Sequence, residues 1–383
     1  MTGHIRRRGE RSWEIKFDTG RDSLTGRRLT KYHSFKGTKR EAAAELVRLK
    51  AVADKGEYID PSKVTLSEFL DRWETWAETQ VSAKTLERYK ELASHHIRPH
   101  LGGMRVQKLR PVNFAVLYGK LQCSKNEGGA ALAPRTVGHV HRLMHRVLGS
   151  AVQWGLLAAN PVATAKPPRV SRTEIEILAP GQIKTVLDAL QGGPLHIVAI
   201  VSLATGMRRG EVVGLRWNDV DLDAGRIRVE RSLEQTNAGL TFKAPKTKAG
   251  RRSIPIPPSV VAELHRHWRE QQEMRLQLGL GRADEEDLVF PKPDGSVWPP
   301  DSLTSEWARA IRILKVPKVT LHALRHTHVS QLIAAGLDVV SVSRRIGHSN
   351  PTVTLGVYAH LFDNTDEKAA AVVEAALAGA LKG

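Results

Sequence analysis

Cysteine is almost absent from this chain: Cys123 is the single one among 383 residues. One thiol supports neither an intrachain disulfide framework nor a thiolate metal cluster, which suits a reducing compartment. Long apolar runs are missing too. A stretch such as Ile197 to Leu203 falls far short of the roughly 20 residues that a membrane helix needs, and the amino terminus lacks a signal-peptide core. The expectation is a soluble, cytoplasmic protein that makes no membrane contact. Acidic residues are scarce relative to basic ones, with 40 Asp plus Glu against 58 Lys plus Arg and a formal net charge of +18. That excess is spread along the whole chain and suits a polyanionic partner, although a solvated basic surface would look the same and motifs must decide.

A chain of 383 residues is too long for one ordinary core, so two or three domains are expected. At the amino end, Trp13, Ile15 and Phe17 alternate with Glu14, Lys16 and Asp18, the period of a half-buried strand. A second extended run covers Leu29 to Phe35. Thr38 followed three residues later by Glu41 is a capping box, opening a helix through about Lys55. Residues 1–58 therefore read as a small sheet plus one helix, with Arg6, Arg7 and Arg8 near the strands.

From 64 to 160 the pattern is helical, with starts at Thr65 or Ser67 and at Ser82. Leu66, Phe69, Leu70 and Trp73 recur at helical intervals. Further on, Val140, Leu143, Met144, Val147, Leu148 and Ala151 form an apolar stripe opposite a basic one of Arg135, His139, Arg142 and Arg146. Asn160-Pro161 breaks the helix and Pro167-Pro168 extends the break, so 161–178 reads as an interdomain linker. Over 179–383 helices resume. Arg226 to Val229 and Arg252 to Ile256 give short strands around a turn-rich tip at Lys246 to Gly250, and an Ala-rich amphipathic tail follows Asp366.

The chemistry concentrates near the carboxyl end. His322 and Arg325 lie three residues apart in Leu321-His322-Ala323-Leu324-Arg325-His326, and so share a helix face where a base and an anion clamp sit side by side. Gly347-His348 follows, then Tyr358. Upstream, Arg208 stands where an apolar helical stretch meets a Gly-punctuated turn, a sound place to hold a guanidinium rigidly. His322, His326 and His328 also have a spacing suggestive of zinc, but Ala323 stands where a metalloprotease helix carries its glutamate, and no metal is expected.

With this set the sequence resembles the tyrosine recombinase, or phage integrase, family, whose signature runs Arg, Lys, His-x-x-Arg, His or Trp, Tyr. The positions match Arg208, Lys246 within Pro245-Lys246-Thr247-Lys248, His322 with Arg325, His348 and Tyr358; Lys248 rivals Lys246, and Glu211 matches the acidic residue after the first arginine. The resemblance implies a multidomain, mainly α protein with small β-sheets: an arm-type DNA-binding domain at 1–58, an all-α core-binding domain of SAM-like type at 64–160, and an α+β catalytic domain with a helical tail at 179–383. It implies site-specific cleavage and rejoining of double-stranded DNA through a 3′-phosphotyrosine, with no cofactor. Tyr358 would attack, His322 would take its proton, Arg208, Arg325 and His348 would bind the phosphate, Lys246 would protonate the leaving oxygen and Glu211 would buttress the arginines. Phosphate contacts are expected from Arg6, Arg7, Arg8, Lys84, Arg88, Arg135, His139 and Arg142. The synaptic complex is expected to be a homotetramer with the tail docked on the next subunit, and an excision factor and a host DNA-bending protein are possible partners. A type IB topoisomerase would share the nucleophile and the arginines without exchanging ends between duplexes.

Overall fold

Alternation and capping at the amino end produce one sheet covered by one helix. In the computed structural model, which describes residues 3–21, 25–55, 58–123, 131–171, 175–245, 248–292, 294–316, 318–361, 370 and 373–378, strands β1 (Gly3–Gly9), β2 (Ser12–Arg21) and β3 (Arg28–Lys36) form an antiparallel sheet in that order. Helix α1 (Lys39–Asp54) starts at Thr38, whose hydroxyl accepts from the Glu41 amide while the Glu41 carboxylate accepts from the Thr38 amide. Ile15 and Phe17 are buried with Leu49 and Ala53 of this helix. Strand β1 carries Arg6, Arg7 and Arg8 and has no readable alternation of its own, since Ile5 is its one large apolar residue. Backbone pairing to β2 recruits it, with Arg6 opposite Glu14 and His4 opposite Lys16.

The chain divides into two compact units, Met1–Arg172 and Thr173–Gly383. In the first, α2 (Leu66–Ala77), α3 (Ala83–Leu92), α4 (Arg98–Leu101), α5 (Pro111–Gln122) and α6 (Pro134–Gln153) enclose a second apolar cluster. Thr65 caps α2 through a capping box with Glu68. Trp73, fully buried, donates its indole N–H to Ser150 of α6 at 3.0 Å. The apolar stripe of α6 faces inward and Arg135, His139, Arg142 and Arg146 face solvent. Val162 and Ala165, from the start of the expected linker, are buried in this same cluster. The break at Pro161 therefore turns the chain back over the helices rather than away from them.

In the second unit, α7 (Pro180–Leu190), α8 (Pro194–Thr205), α9 (Arg209–Val213), α10 (Pro258–Gln277), α11 (Pro300–Ile313) and α12 (Leu321–Ala334) surround the largest core. Its sheet has the order β4 (Val220–Asp221), β5 (Arg226–Val229), β8 (Arg252–Pro255), with β6 (Ser232–Thr236) and β7 (Gly239–Lys243) forming a separate hairpin between β5 and β8 in sequence. That hairpin is mostly polar and only partly buried, with Leu233 its one buried residue, so it has little apolar signature. Helices α13 (Val339–Ile346) and α14 (Pro351–Tyr358) complete the unit and bury Val342, Ile346 and Tyr358 with Val329 and Ile333 of α12. Leu178, at the end of the expected linker, is already core here and donates its amide to Thr327. No helix among the described residues is long and apolar enough to cross a membrane.

Candidate active site

Helix ends organise the site. Helix α8 stops at Gly206, which takes a left-handed φ of 63°, and a Cβ there would stand 2.7 Å from the His328 ring. Helix α13 stops the same way at Gly347, φ 69°. The carbonyls at these two carboxyl ends carry the partial negative charge of the helix dipole and need donors. Arg325, 3% exposed, supplies both: it donates to Gly206 O at 2.5 Å and to Ile346 O at 2.7 Å. Arg208 donates to the next carbonyl, Gly347 O, at 3.0 Å. Two guanidinium groups thus lie side by side, fixed by backbone.

A buried carboxylate sets the second of them. Glu211, 3% exposed, receives Arg208 Nη1 at 2.8 Å and the Arg208 backbone amide at 2.9 Å. It also receives Arg252 Nη2 at 2.9 Å and Nη1 at 3.3 Å. Burial pushes the Glu211 carboxyl up, but the hydrogen bonds and charge of Arg252, then of Arg208, outweigh it and hold it below the ordinary value. Arg252 reaches further, donating from Nε to Arg345 O at 2.8 Å. Gly210 is needed because β6 passes over it: a Cβ would meet Leu233 O and Ser232 Oγ at 2.6 Å.

The histidines and the tyrosine come from α12, the turn after α13, and α14. His348 Nδ1 pairs with the Thr354 hydroxyl at 2.9 Å, one helical turn before Tyr358. Tyr358 is 2% exposed, and its hydroxyl pairs with Nδ1 of His326 at 2.5 Å. His322 and His326, four apart on α12, meet edge to face with ring centroids 4.8 Å apart. Burial, then Arg325 and Arg208, lowers His348 to about 4. His322 is lowered as well, desolvation first, then Arg325, Arg208 and Arg209, even though the residue as a whole is exposed. Burial, then His322 and Arg325, brings His326 to about 4. Burial raises the Tyr358 phenol to about 12, against a lowering by Arg325. The site thus gathers guanidinium groups, uncharged imidazoles and one uncharged phenol around the buried Glu211 carboxylate.

Two protein-family models match this chain: residues 176–365 match the phage integrase family, and residues 65–121 match the phage integrase N-terminal SAM-like domain. The chain belongs to the phage integrase family. It is a site-specific DNA recombinase of the tyrosine type. Among related proteins, a tyrosine recombinase XerC-like protein of Caldanaerobacter subterraneus is 27% identical over 92% of this chain and 93% of its own length. The ICEBs1 integrase of Bacillus subtilis is 23% identical over 94% and 95%. Among solved structures, the Tn1549 transposon integrase in complex with transposon right end DNA shares the fold, with a TM-score of 0.67 and 21% identity over 82% of this chain and 99% of that one. A lambda integrase tetramer bound to a Holliday junction superposes with a TM-score of 0.57 and 17% identity over 91% and 96%.

Of the residues singled out from the integrase signature, Arg208, Glu211, His322, Arg325, His348 and Tyr358 come together in the second unit. Lys246 lies outside the described residues, and of Lys248 only the backbone is described, in a single turn at Lys248–Gly250. The tyrosine hydroxyl pairs with His326, which lies one helical turn along α12 from His322, the residue expected to take its proton. The zinc-like spacing does not produce convergence either, since His326 turns to Tyr358 while His328 bonds Leu203 O and Arg345. Arg252 and His326 are site residues that the sequence reading misses. Arg252 sits in a strand whose alternation reads only as surface, whereas the four-residue step from His322 to His326 is legible but suggests only metal.

The expected DNA contacts lie away from this pocket in sequence. Arg6, Arg7 and Arg8 are exposed on β1, with Arg8 paired to Glu14 at 2.7 Å. Lys84 and Arg88 are exposed on α3, paired to Glu87 and Glu91. Arg135, His139 and Arg142 are exposed on α6, where Arg142 contacts His139 at 2.8 Å. Burial, then Arg142, Arg88 and Arg135, lowers the His139 ring's pKa, so α3 and α6 present these groups to one region.

Proposed function

We propose that this recombinase integrates and excises the DNA of a phage or other mobile element, with Tyr358 as the nucleophile that becomes joined to a DNA 3′ phosphate. The reading is carried by one observation: a buried phenol lies within the influence of the Arg325 guanidinium, which neighbouring helix-end carbonyls hold next to that of Arg208. Arg208 and Arg325 retain N–H groups beyond those used on carbonyls, and these bind the non-bridging oxygens of the scissile phosphate. Because backbone fixes them beforehand, they stabilise the pentavalent transition state without reorganising. His348, with Nδ1 engaged by Thr354, presents Nε2 to the same phosphate, and His322 faces it from α12. The charge relief comes from these side chains, so the step is assigned without a metal. Lys246 protonates the departing 5′ oxygen in this scheme. The phosphotyrosine keeps the energy of the broken bond, so an incoming 5′-hydroxyl reseals it without a nucleotide cofactor.

Residues 1–58 would bind arm-type sites and 64–160 would grip the core site, joined through 161–178 to a catalytic domain over 179–383. The basic faces on β1, α3 and α6 support this assignment. The working form would be a homotetramer on two double-stranded sites, a reading that the likeness to the lambda integrase tetramer supports, acting in the cytoplasm of a bacterial host. The tail that would dock on the next subunit lies mostly outside the described residues; 373–378 is helical and exposes Val373 and Leu377. An excision factor and a host DNA-bending protein would set direction, tested by adding each to excision assays. The decisive measurement uses a nicked duplex that traps the adduct: wild type should give a denaturant-resistant protein–DNA band with a nucleotide on Tyr358, and Tyr358→Phe should bind DNA without it. A band that survives in Tyr358→Phe, or joining that never links two marked duplexes, overturns the reading in favour of another nucleophile or a topoisomerase.

A further inference from the structure

We infer that His326, the residue directly after Arg325, is the general base that takes the proton of Tyr358, leaving His322 to act on the phosphate. This rests on the assignment of Tyr358 as nucleophile and goes beyond it, because the family signature covers His322, Arg325 and His348 but not this position. Geometry carries it. Nδ1 of His326 pairs with the Tyr358 oxygen at 2.5 Å, close enough for a proton to pass directly between them with no intervening water. The two rings are held from both sides: His326 is fixed on α12 against His322, and the Tyr358 ring is packed among Val329, Ile333, Val342 and Ile346. His322 shares burial and Arg325 with His326 but also feels Arg208, the second guanidinium of the site, and Arg209.

Among the described residues, the charged or titratable groups facing His326 are His322 and Arg325 from its own helix and Tyr358 from α14. Burial and those neighbours hold the ring well below its ordinary value, so at neutral pH it is uncharged and its Nδ1 lone pair accepts the phenol proton. The step balances. As the phenolic oxygen forms its bond to phosphorus, its proton moves to Nδ1, the P–O5′ bond breaks and the 5′ oxygen takes a proton from the leaving-group acid. An imidazolium beside Arg325 is costly until the phosphate's negative charge is bound, which couples proton transfer to substrate occupancy. In resealing, the imidazolium returns its proton to the departing phenolate, and nothing is consumed.

The test compares wild type, His326→Asn and His326→Ala in the full chain on two nicked substrates, one with the ordinary 5′ oxygen and one with sulfur at that bridging position. Asparagine can hydrogen-bond the phenol and cannot take its proton. Both variants are expected to bind the duplex as wild type does and to form adduct about 10²- to 10⁴-fold more slowly. Their rate should climb about tenfold per pH unit between pH 6 and 9, as free phenolate becomes the nucleophile, whereas wild type is flat there. Added imidazole should partly restore His326→Ala. The bridging sulfur, which leaves without a proton, should not close the gap. Adduct formation in His326→Asn within threefold of wild type, an unchanged pH profile, or full rescue by the sulfur substrate would refute the assignment, the last by placing His326 at the leaving group. If wild type forms adduct at Tyr358 and the variants match it, this inference alone fails; if wild type forms none, the nucleophile assignment falls first.

Discussion

Replacing Glu211 by glutamine keeps the side chain's shape and removes its charge, and the structure says what that costs. The carboxylate accepts N–H groups from Arg208 and Arg252 and is 3% exposed, while the Arg252 side chain is 7% exposed. An amide in its place must turn an NH2 group toward at least one guanidinium, setting donor against donor. Removing one partner of a buried ion pair typically costs about 3–5 kcal/mol, because the other charge stays buried and uncompensated. For a body of this size each kcal/mol moves the midpoint by about 2–4 °C, so a drop of roughly 10 °C is expected. Differential scanning calorimetry should place that drop in the transition of the second compact unit and leave the first where it was. The Glu211→Leu/Arg252→Met double variant should recover most of the stability, since well-packed apolar groups replace the whole pair. Cleavage should stay depressed on the order of 10²-fold in both, because Arg208 has lost its anchor and a displaced clamp is a poor one. A midpoint shift under about 2 °C for Glu211→Gln, or a double variant no more stable than the single, would refute the reasoning.

Arg325→Ala leaves the Gly206 and Ile346 carbonyls without their donor, each at about 1–3 kcal/mol; Arg325→Lys should unfold at a higher temperature than Arg325→Ala, with cleavage lost in both. Acid should destabilise the second unit from about pH 6.5 downward. His328 and His348 titrate near 4 when folded, so the unfolded chain binds more protons between those values and the stability present above them is lost as pH falls through the folded pKa. His328→Gln should flatten the midpoint-versus-pH curve, since Arg345 Nε donates to its neutral Nε2; an unchanged curve would remove His328 from the account. Gly206→Ala, which puts a methyl at positive φ against the His328 ring, should lower the midpoint and slow cleavage together, as read by calorimetry and adduct assay. Arg6→Ala with Arg8→Ala should reduce the slope of log binding constant against log salt by about 0.9 for each phosphate these arginines neutralise; an unaltered slope would take β1 off the DNA.

By itself the sequence determined the local features. Thr38 with Glu41 and Thr65 with Glu68 mark helix starts where capping boxes form, since a capping signal spans four residues and needs no distant partner. The stripe on α6 and the pair His322 and Arg325 share helix faces for the same reason, because 3.6-residue periodicity is a property of the chain alone. Tertiary structure decided what depended on which helix end meets which. That Arg325 spans two helix termini, that Arg252 completes the Glu211 pair, and that the phenol of Tyr358 meets His326 instead of His322 all join residues far apart in the chain. Such pairings are set by the packing of α8, α9, β8, α12, α13 and α14, where a small shift of one element changes the partner and leaves the sequence pattern untouched.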